Sequence, residues 1–385
     1  MPLRIGIAGF GARASLWREV SRPRNAAVIA AVWDPAERAQ KGAAEAIPGV
    51  KIARSLDDLL DSQLDAVMVL SPDFTHAEVA IAALRAGVPV FCEKPLATTA
   101  DDADRILEVA RETGTRLYVG HNMRHLPMVR MMRDIIRSGR IGEVKAIWCR
   151  HFVGHGGDFY FKDWHADRTK STGLLLQKGA HDLDVIHWLA DSRTASVVGM
   201  GGLTVYGDIT DRRDRSEERM DEWISHDNWP PLSQTGLNPV VDVEDISMVL
   251  MHLQNGVYAS YQQCHFTPDY WRNYTVIGTE GRMENFGDGE GGTIKLWTKR
   301  GDFREADDTI VIPAAEGTHG GADTLLIAEF LKFVRDGGKT ETSPVAARDA
   351  VATGEAATIS LRNDGCTVDI PAASPEVRQY FELQP

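Results

Sequence analysis

Cysteine is scarce: four residues in 385, at positions 92, 149, 264 and 366, with no C-x-x-C pair. That spacing excludes a disulfide framework and a cysteine-built zinc site, and it fits a reduced, cytoplasmic setting. No apolar run reaches about 18 residues, so no membrane-spanning helix is expected. Lysine and arginine form no block, and the net charge is −13. Such a surface suits neither nucleic acid nor an anionic membrane as partner. Internal repeats and low-complexity tracts are absent. The first residues enter a strand pattern directly, so no secretion signal is expected. What the chain does have is 43% hydrophobic and 25% charged residues, enough for a substantial core. Its length suggests two domains rather than one.

A glycine-rich turn follows the first apolar strand, Leu3 to Ala8. The run Gly9-Phe10-Gly11-Ala12-Arg13-Ala14 reads G-x-G-x-x-A. Gly9 would make the tight turn, Gly11 would let a pyrophosphate approach the backbone, and Ala14 would let a following helix pack close. The first-turn N–H groups of that helix would face the anion. A second apolar strand, Ala26 to Trp33, ends at Asp34, about twenty residues beyond the turn. An acid there accepts hydrogen bonds from the ribose hydroxyls and repels a 2′-phosphate, so the expected cofactor is NAD rather than NADP.

The first 120 residues alternate strands (Asp65 to Leu70, Val88 to Cys92, Leu117 to Gly120) with helices (Gln40 to Ile47, His76 to Ala86, Ala103 to Glu112). This βαβ alternation predicts an α/β, doubly wound parallel sheet over residues 1–123. Beyond Arg124 the pattern changes to a helix, Met128 to Ser138, then long β stretches without intervening helices. Asn255-Gly256 predicts a hairpin, because both residues tolerate positive φ. Residues 124–385 therefore read as an α+β domain with a large, mostly antiparallel open sheet. Helices are expected over Asp323 to Val334 and Val345 to Leu361, the latter able to pack back toward the first domain. The polar stretch Gly207 to Pro239 reads as a solvated arm that could cover a substrate or a neighbouring subunit.

Two constellations carry chemistry. Glu93-Lys94-Pro95 follows a strand, and ligands of open α/β sheets sit at strand carboxyl ends. That puts Lys94 near the nicotinamide. Further on, Gln177-Lys178-Gly179-Ala180-His181-Asp182-Leu183-Asp184 leads into an amphipathic helix. If that helix extends back far enough, Gln177, His181 and Asp184 share a face. Histidine is the usual acid/base for alcohol oxidation near neutral pH. Tyr160, Trp164 and His165 could stack on a sugar, and Arg168 could bind its hydroxyls or an anionic group. Asn122 and Arg124 could face the same cleft, as could His319 in a Gly-rich turn. His151 and His155 are four apart, but the glycines at 154, 156 and 157 oppose a helix there, and no metal is expected.

Together, Gly9-x-Gly11-x-x-Ala14, the Ser71-Pro72 to His76 segment, Glu93-Lys94-Pro95 and Gly179-x-His181-x-x-Asp184 resemble the Gfo/Idh/MocA oxidoreductases, relatives of glucose–fructose oxidoreductase and inositol dehydrogenase. The resemblance covers almost the whole chain, including Ile277 to Gly281. It implies a Rossmann domain followed by a domain whose open sheet commonly forms an oligomer interface, here a homodimer or homotetramer. It implies cofactor contacts from Gly9, Gly11, Ala12, Arg13, Ala14, Asp34, Ser71, Pro72, His76, Glu93 and Lys94. It also implies catalytic roles for Lys94 and His181. One departure stands out: the family often has aspartate four residues before the histidine, and this chain has Gln177, followed by Lys178. Glutamine hydrogen-bonds a hydroxyl but holds no charge, which argues for a substrate other than inositol.

The expected reaction is oxidation of a secondary alcohol of a sugar or polyol by NAD. His181 would take the hydroxyl proton, and Lys94 would stabilise the developing negative charge on oxygen. The alternative is an NAD-dependent glycosidase that oxidises a ring hydroxyl transiently, eliminates the aglycone, adds water and returns the hydride.

Overall fold

The structure, a computed structural model, describes every residue except 219, 221, 222, 302–304, 384 and 385. The chain divides into two compact units. One comprises Met1–Asn122, Asp323–Val351 and Ala372–Pro385; the other comprises Met123–Ala322 and Ala352–Pro371. A single cut after residue 123 captures the first crossing but not the return of the chain at Asp323.

The first unit holds β1 (Leu3–Ala8), β2 (Ala27–Trp33), β3 (Lys51–Ile52), β4 (Ala66–Val69), β5 (Val90–Glu93) and β6 (Leu117–Gly120). All pairings are parallel, in the order β3-β2-β1-β4-β5-β6. The order reverses between β1 and β4, the switch point where such sheets open a ligand crevice. β4, β5 and β6 are buried along their whole length, because helices cover both faces and no solvent side remains to alternate. The helix Ala100–Thr113 starts where Thr99 Oγ1 accepts the Asp102 N–H at 3.1 Å and ends at Gly114, φ +67°, a side-chain cap and a left-handed stop. The helix Ala322–Asp336 returns to this unit. Its Phe330 ring packs against Phe91 and Tyr118 at 5.2 and 5.6 Å between centroids. Truncating a buried ring of this kind costs about 3–5 kcal/mol, so the late segment belongs to this core and not to the sheet that precedes it.

The second unit is built on β7 (Val144–Phe152), β8 (Thr194–Gly202), β9 (Ile246–Leu253), β10 (Tyr258–Cys264), β11 (Trp271–Gly278), β12 (Arg282–Phe286), β13 (Thr293–Trp297), β14 (Asp308–Val311) and β15 (Val368–Asp369). The order is β14-β13-β12-β11-β7-β10-β9-β8-β15. Every pairing is antiparallel except β7 with β10. One face of the central strands is buried under the helix Ala180–Ala190. The opposite face leaves Trp148 52%, Leu250 65% and Tyr258 66% exposed.

The expected hairpin joins β9 to β10. Only Gly256 has positive φ (+86°), and Gly256 N–H donates to Leu253 O at 2.9 Å. A single left-handed glycine closes the turn. The polar stretch 207–239 is tied down: the buried Asp158 Oδ1 accepts from Lys162 Nζ (3.0 Å), Asn228 Nδ2 (2.6 Å) and Gln234 Nε2 (3.1 Å). The Asp245 carboxylate accepts the Thr204, Val205 and Tyr206 N–H groups. All four cysteines are free thiols. Among the described residues, no helix is long and apolar enough to cross a membrane.

Candidate active site

In the first unit the expected cofactor residues lie at the carboxyl ends of β1, β2, β4 and β5. Gly9 has φ +92°, and a Cβ there would lie 2.5 Å from the Ser71 backbone; only glycine fits. A Cβ on Gly11 would meet nothing within 4 Å, which leaves the open approach a pyrophosphate needs. Ala14 is buried, as close packing after the turn requires. The expected helix begins as a 3-10 turn, Ala12–Leu16, and runs into a four-residue α-helix, Trp17–Val20.

Asp34 lies at the end of β2 with both carboxylate oxygens engaged: Oδ2 accepts Phe10 N–H at 2.7 Å and Oδ1 accepts Ala36 N–H at 2.8 Å. The acid is thereby fixed against the glycine-rich turn. His76 is wholly buried between two carbonyls, Nδ1 2.8 Å from Pro95 O and Nε2 2.9 Å from Ser71 O. Carbonyls only accept, so both ring nitrogens donate and the ring is an imidazolium. Burial works against that charge; the Cys92 sulfur, Asp73 and the Pro95 carbonyl outweigh it, and the ring is pushed up to about 10. His76 therefore braces the Ser71-Pro72 loop against Pro95, with neither nitrogen left to meet a cofactor.

Arg13 is a junction. Its Nε donates to Glu93 Oε1 at 2.7 Å, and its terminal nitrogens donate to Asp323 at 3.1 and 3.2 Å. Asn122 Nδ2 donates to the same aspartate at 2.9 Å. Glu93 Oε2 accepts the Lys94 N–H at 2.8 Å. Lys94 itself is half-buried at the strand end. Asn122 and Arg13 thus serve one anchored cluster, and Asp323 is a member that sequence reasoning missed.

In the second unit, Tyr160 stands edge-on to His165 (5.3 Å) and His265 (5.4 Å). Trp164 stacks on His165 at 3.8 Å, and Lys178 Nζ lies 5.6 Å from the Tyr160 ring centre. Four expected substrate residues, Tyr160, Trp164, His165 and Lys178, are therefore together. Gln177 is buried and His181 half-buried, but the helix they were expected to share is interrupted. Leu174–Gln177 and Ala180–Ala190 are separate segments. One expectation needs correcting, and two expected residues lie apart from this group. Arg124 does not stand in a cleft; its buried guanidinium holds Asp184 through two bonds of 2.8 and 2.6 Å, and this also removes Asp184 from a shared polar face. Arg168 is exposed and pairs with Asp242 at 3.1 Å. His319 is exposed in a left-handed turn, φ +49°.

Beneath the helix Ala180–Ala190 lies a buried network with no counterpart in the sequence reading. Register places Tyr261, Cys149 and Tyr274 in one row across β10, β7 and β11, and Gln263, His151 and Arg272 in the next. Asp182 serves both rows. It pairs with Arg272 Nε at 2.7 Å, lies 3.1 Å from His151 Nδ1 and accepts the Tyr274 hydroxyl. Burial opposes the Asp182 charge, but Arg272 and His151 hold its carboxyl well below the usual range. Burial and the Arg272 charge push His151 down to about 3, so it is a neutral imidazole donating through Nδ1. Asp182 is the neighbour of His181 in sequence, and it anchors the start of this helix to the sheet.

The two family models that match this sequence agree with that architecture. The oxidoreductase family with an NAD-binding Rossmann fold matches residues 3–121, and the GFO/IDH/MocA C-terminal domain matches residues 129–284. The chain belongs to the GFO/IDH/MocA oxidoreductases. A Bacillus subtilis protein named only as an oxidoreductase, YteT, is 26% identical over 84% of this chain and 83% of its own length. The inositol 2-dehydrogenase of Gluconacetobacter diazotrophicus is 36% identical, over 51% of this chain and 57% of that one. The chain thus matches little more than half the length of that dehydrogenase. A levoglucosan dehydrogenase structure with NADH and L-sorbose superposes with a TM-score of 0.80 at 20% identity, covering 96% of this chain and 99% of that one; at that identity the likeness is one of fold. NAD is the cofactor of the first unit.

Proposed function

We propose that this protein is an NAD-dependent dehydrogenase that oxidises a secondary alcohol of a sugar or polyol. The observation that carries the reading is Lys94, half-buried at the carboxyl end of β5, its backbone fixed by Glu93. It sits in a unit whose Gly9, Gly11 and Asp34 have the form a dinucleotide needs. Nicotinamide, when bound, supplies the hydride acceptor. Lys94 donates a hydrogen bond to the substrate oxygen as negative charge develops there. His181 accepts the hydroxyl proton, and hydride leaves the same carbon, so an alcohol becomes a ketone. Sugar and polyol substrates are supported by the names of the inositol and levoglucosan dehydrogenases. The apolar sheet face bearing Trp148, Leu250 and Tyr258 supports packing against a second copy of the chain.

The test is steady-state turnover of Lys94→Ala on a sugar and polyol panel, with NAD binding measured by calorimetry. Turnover is expected to fall by about 10²–10⁴-fold while NAD affinity changes little. Near-normal turnover would remove Lys94 from the mechanism. NADH should form in proportion to substrate consumed. Release of nitrophenol from a nitrophenyl glycoside without net NADH would replace this reading with redox-neutral elimination.

A further inference from the structure

Two cations and two acids meet near the expected substrate residues of the second unit: Arg272 and Lys178, with Asp182 and Asp288. Arg272 is paired with Asp182 at 2.7 Å, and the other nearby acid, Asp288, approaches the same guanidinium at 3.7 Å. Lys178 is different. It is half-buried, its ammonium lies against the Tyr160 ring, and among the described residues no carboxylate comes within ion-pair distance of it. The position before it is Gln177, so the acid that often occupies that place in the family brings no charge here. Polar groups close to Lys178 also lack partners. Both ring nitrogens of His265, Nε2 of His151 and Nε2 of Gln263 are buried without a hydrogen bond among the described residues. Lys178 acts electrostatically on His265 and His151. Buried polar atoms left this way are costly unless a water or ligand meets them.

We propose that the substrate is an acidic sugar, its carboxylate bound by Lys178 with the sugar ring against Tyr160. This inference rests on the dehydrogenase reading and names its substrate class. Arg272 is already in contact with Asp182 at 2.7 Å, so Lys178 is the cation left for a ligand, and one ammonium matches the single charge of a carboxylate better than the double charge of a phosphate. The aromatic face supplies apolar contact to the ring carbons. An ammonium three residues before His181 in sequence ties recognition of the acid to the segment that carries the proton acceptor. The carboxylate is a handle and is unchanged by the reaction, which oxidises a ring carbinol.

The experiment compares kcat/KM, read as NADH formation, for D-galacturonate and D-glucuronate with D-galactose, D-glucose and D-glucose 6-phosphate. At least one uronate should exceed its neutral counterpart by about tenfold or more, the scale of one charge-assisted contact. In Lys178→Met that ratio should fall towards one, and in Lys178→Arg it should be kept; Lys178→Gln is the second charge-removing variant, with folding of each checked by melting temperature. Preference for neutral sugars or for the phosphate overturns the acid site while leaving the dehydrogenase reading intact. So does a uronate preference that survives the loss of Lys178. If no sugar yields NADH, the dehydrogenase reading fails by itself. Calorimetry of D-galacturonate on the NADH-loaded enzyme then decides the site. Binding that needs Lys178 upholds it, and absence of binding overturns it.

Discussion

The polar groups around the cofactor turn and those beneath the helix Ala180–Ala190 solve opposite problems. In the first unit each acid is tied to a nearby donor: Asp34 to two backbone N–H groups, Glu93 to Arg13 and the Lys94 N–H, Asp323 to Arg13 and Asn122. Most of these contacts keep some solvent, Arg13 being 27% exposed at its side chain. In the second unit Asp182 and Arg272 are buried together inside the sheet–helix interface, and partnerless atoms surround them. The first arrangement prepares a fixed shape for a ligand of constant structure. The second concentrates charge where a variable ligand must complete the bonding.

The sharpest way to break this contrast is to neutralise one acid in each unit. Asp182→Asn leaves the Arg272 guanidinium buried and uncompensated, which should cost about 3–5 kcal/mol. Asp323→Asn leaves Arg13 partly solvated and still paired with Glu93, and should cost less, about 2 kcal/mol. Urea midpoints of the two variants measure the difference. Equal losses would mean that the two networks are energetically alike.

What could be read from the sequence, and what could not, follows the same division. Gly9, Gly11, Asp34 and Glu93-Lys94-Pro95 work through local backbone geometry, so their spacing along the chain is their signal. Asp323 joins Arg13 from 310 positions away, and no local pattern reports such a pairing. Arg272 left a faint trace: it alternates with Tyr274 and Val276 along a strand, and all three face inward, so a cation on an apolar face was visible in the period of two. Asp182 and Asp184, two acids in a mostly apolar helix, were a similar trace. The break between Gln177 and Ala180 was not legible, since Lys178 and Gly179 keep right-handed helical angles and differ from a continuous helix only in their hydrogen bonds. Arg124 was misread because a basic residue just past a Rossmann strand suits a cleft as well as it suits the buried Asp184.

His76 is the exception in the first unit, a buried charge without solvent, and it tests whether a charged brace holds that unit's loops. Its folded value is raised, from an ordinary 6.5 to about 10. The stabilisation it provides is therefore complete below about pH 6.5 and disappears as pH rises through 10. His76→Gln should lower the unfolding free energy at pH 6, read from urea titrations, by about 2 kcal/mol. The gap to the unmodified protein should narrow steadily as pH rises from 6.5 to 10. A gap independent of pH would mean that the ring is neutral and merely fills space.

The smallest expected effect concerns Asp34, and it asks whether the fixed geometry of the first unit also sets its selectivity. Its two backbone bonds orient the carboxylate regardless of ligand, so the charge stands ready to repel a 2′-phosphate rather than being assembled on binding. Asp34→Asn keeps an acceptor oxygen for one of the two N–H groups and removes the charge. NADP affinity should rise by about tenfold, equivalent to about 1.4 kcal/mol, while NAD affinity falls by a smaller factor because a neutral amide still accepts from a ribose hydroxyl. Calorimetric titration with both dinucleotides reads the two changes separately. If both affinities fell together, Asp34 would act chiefly by holding Phe10 and Ala36 in place, and discrimination between the two cofactors would lie elsewhere along the turn.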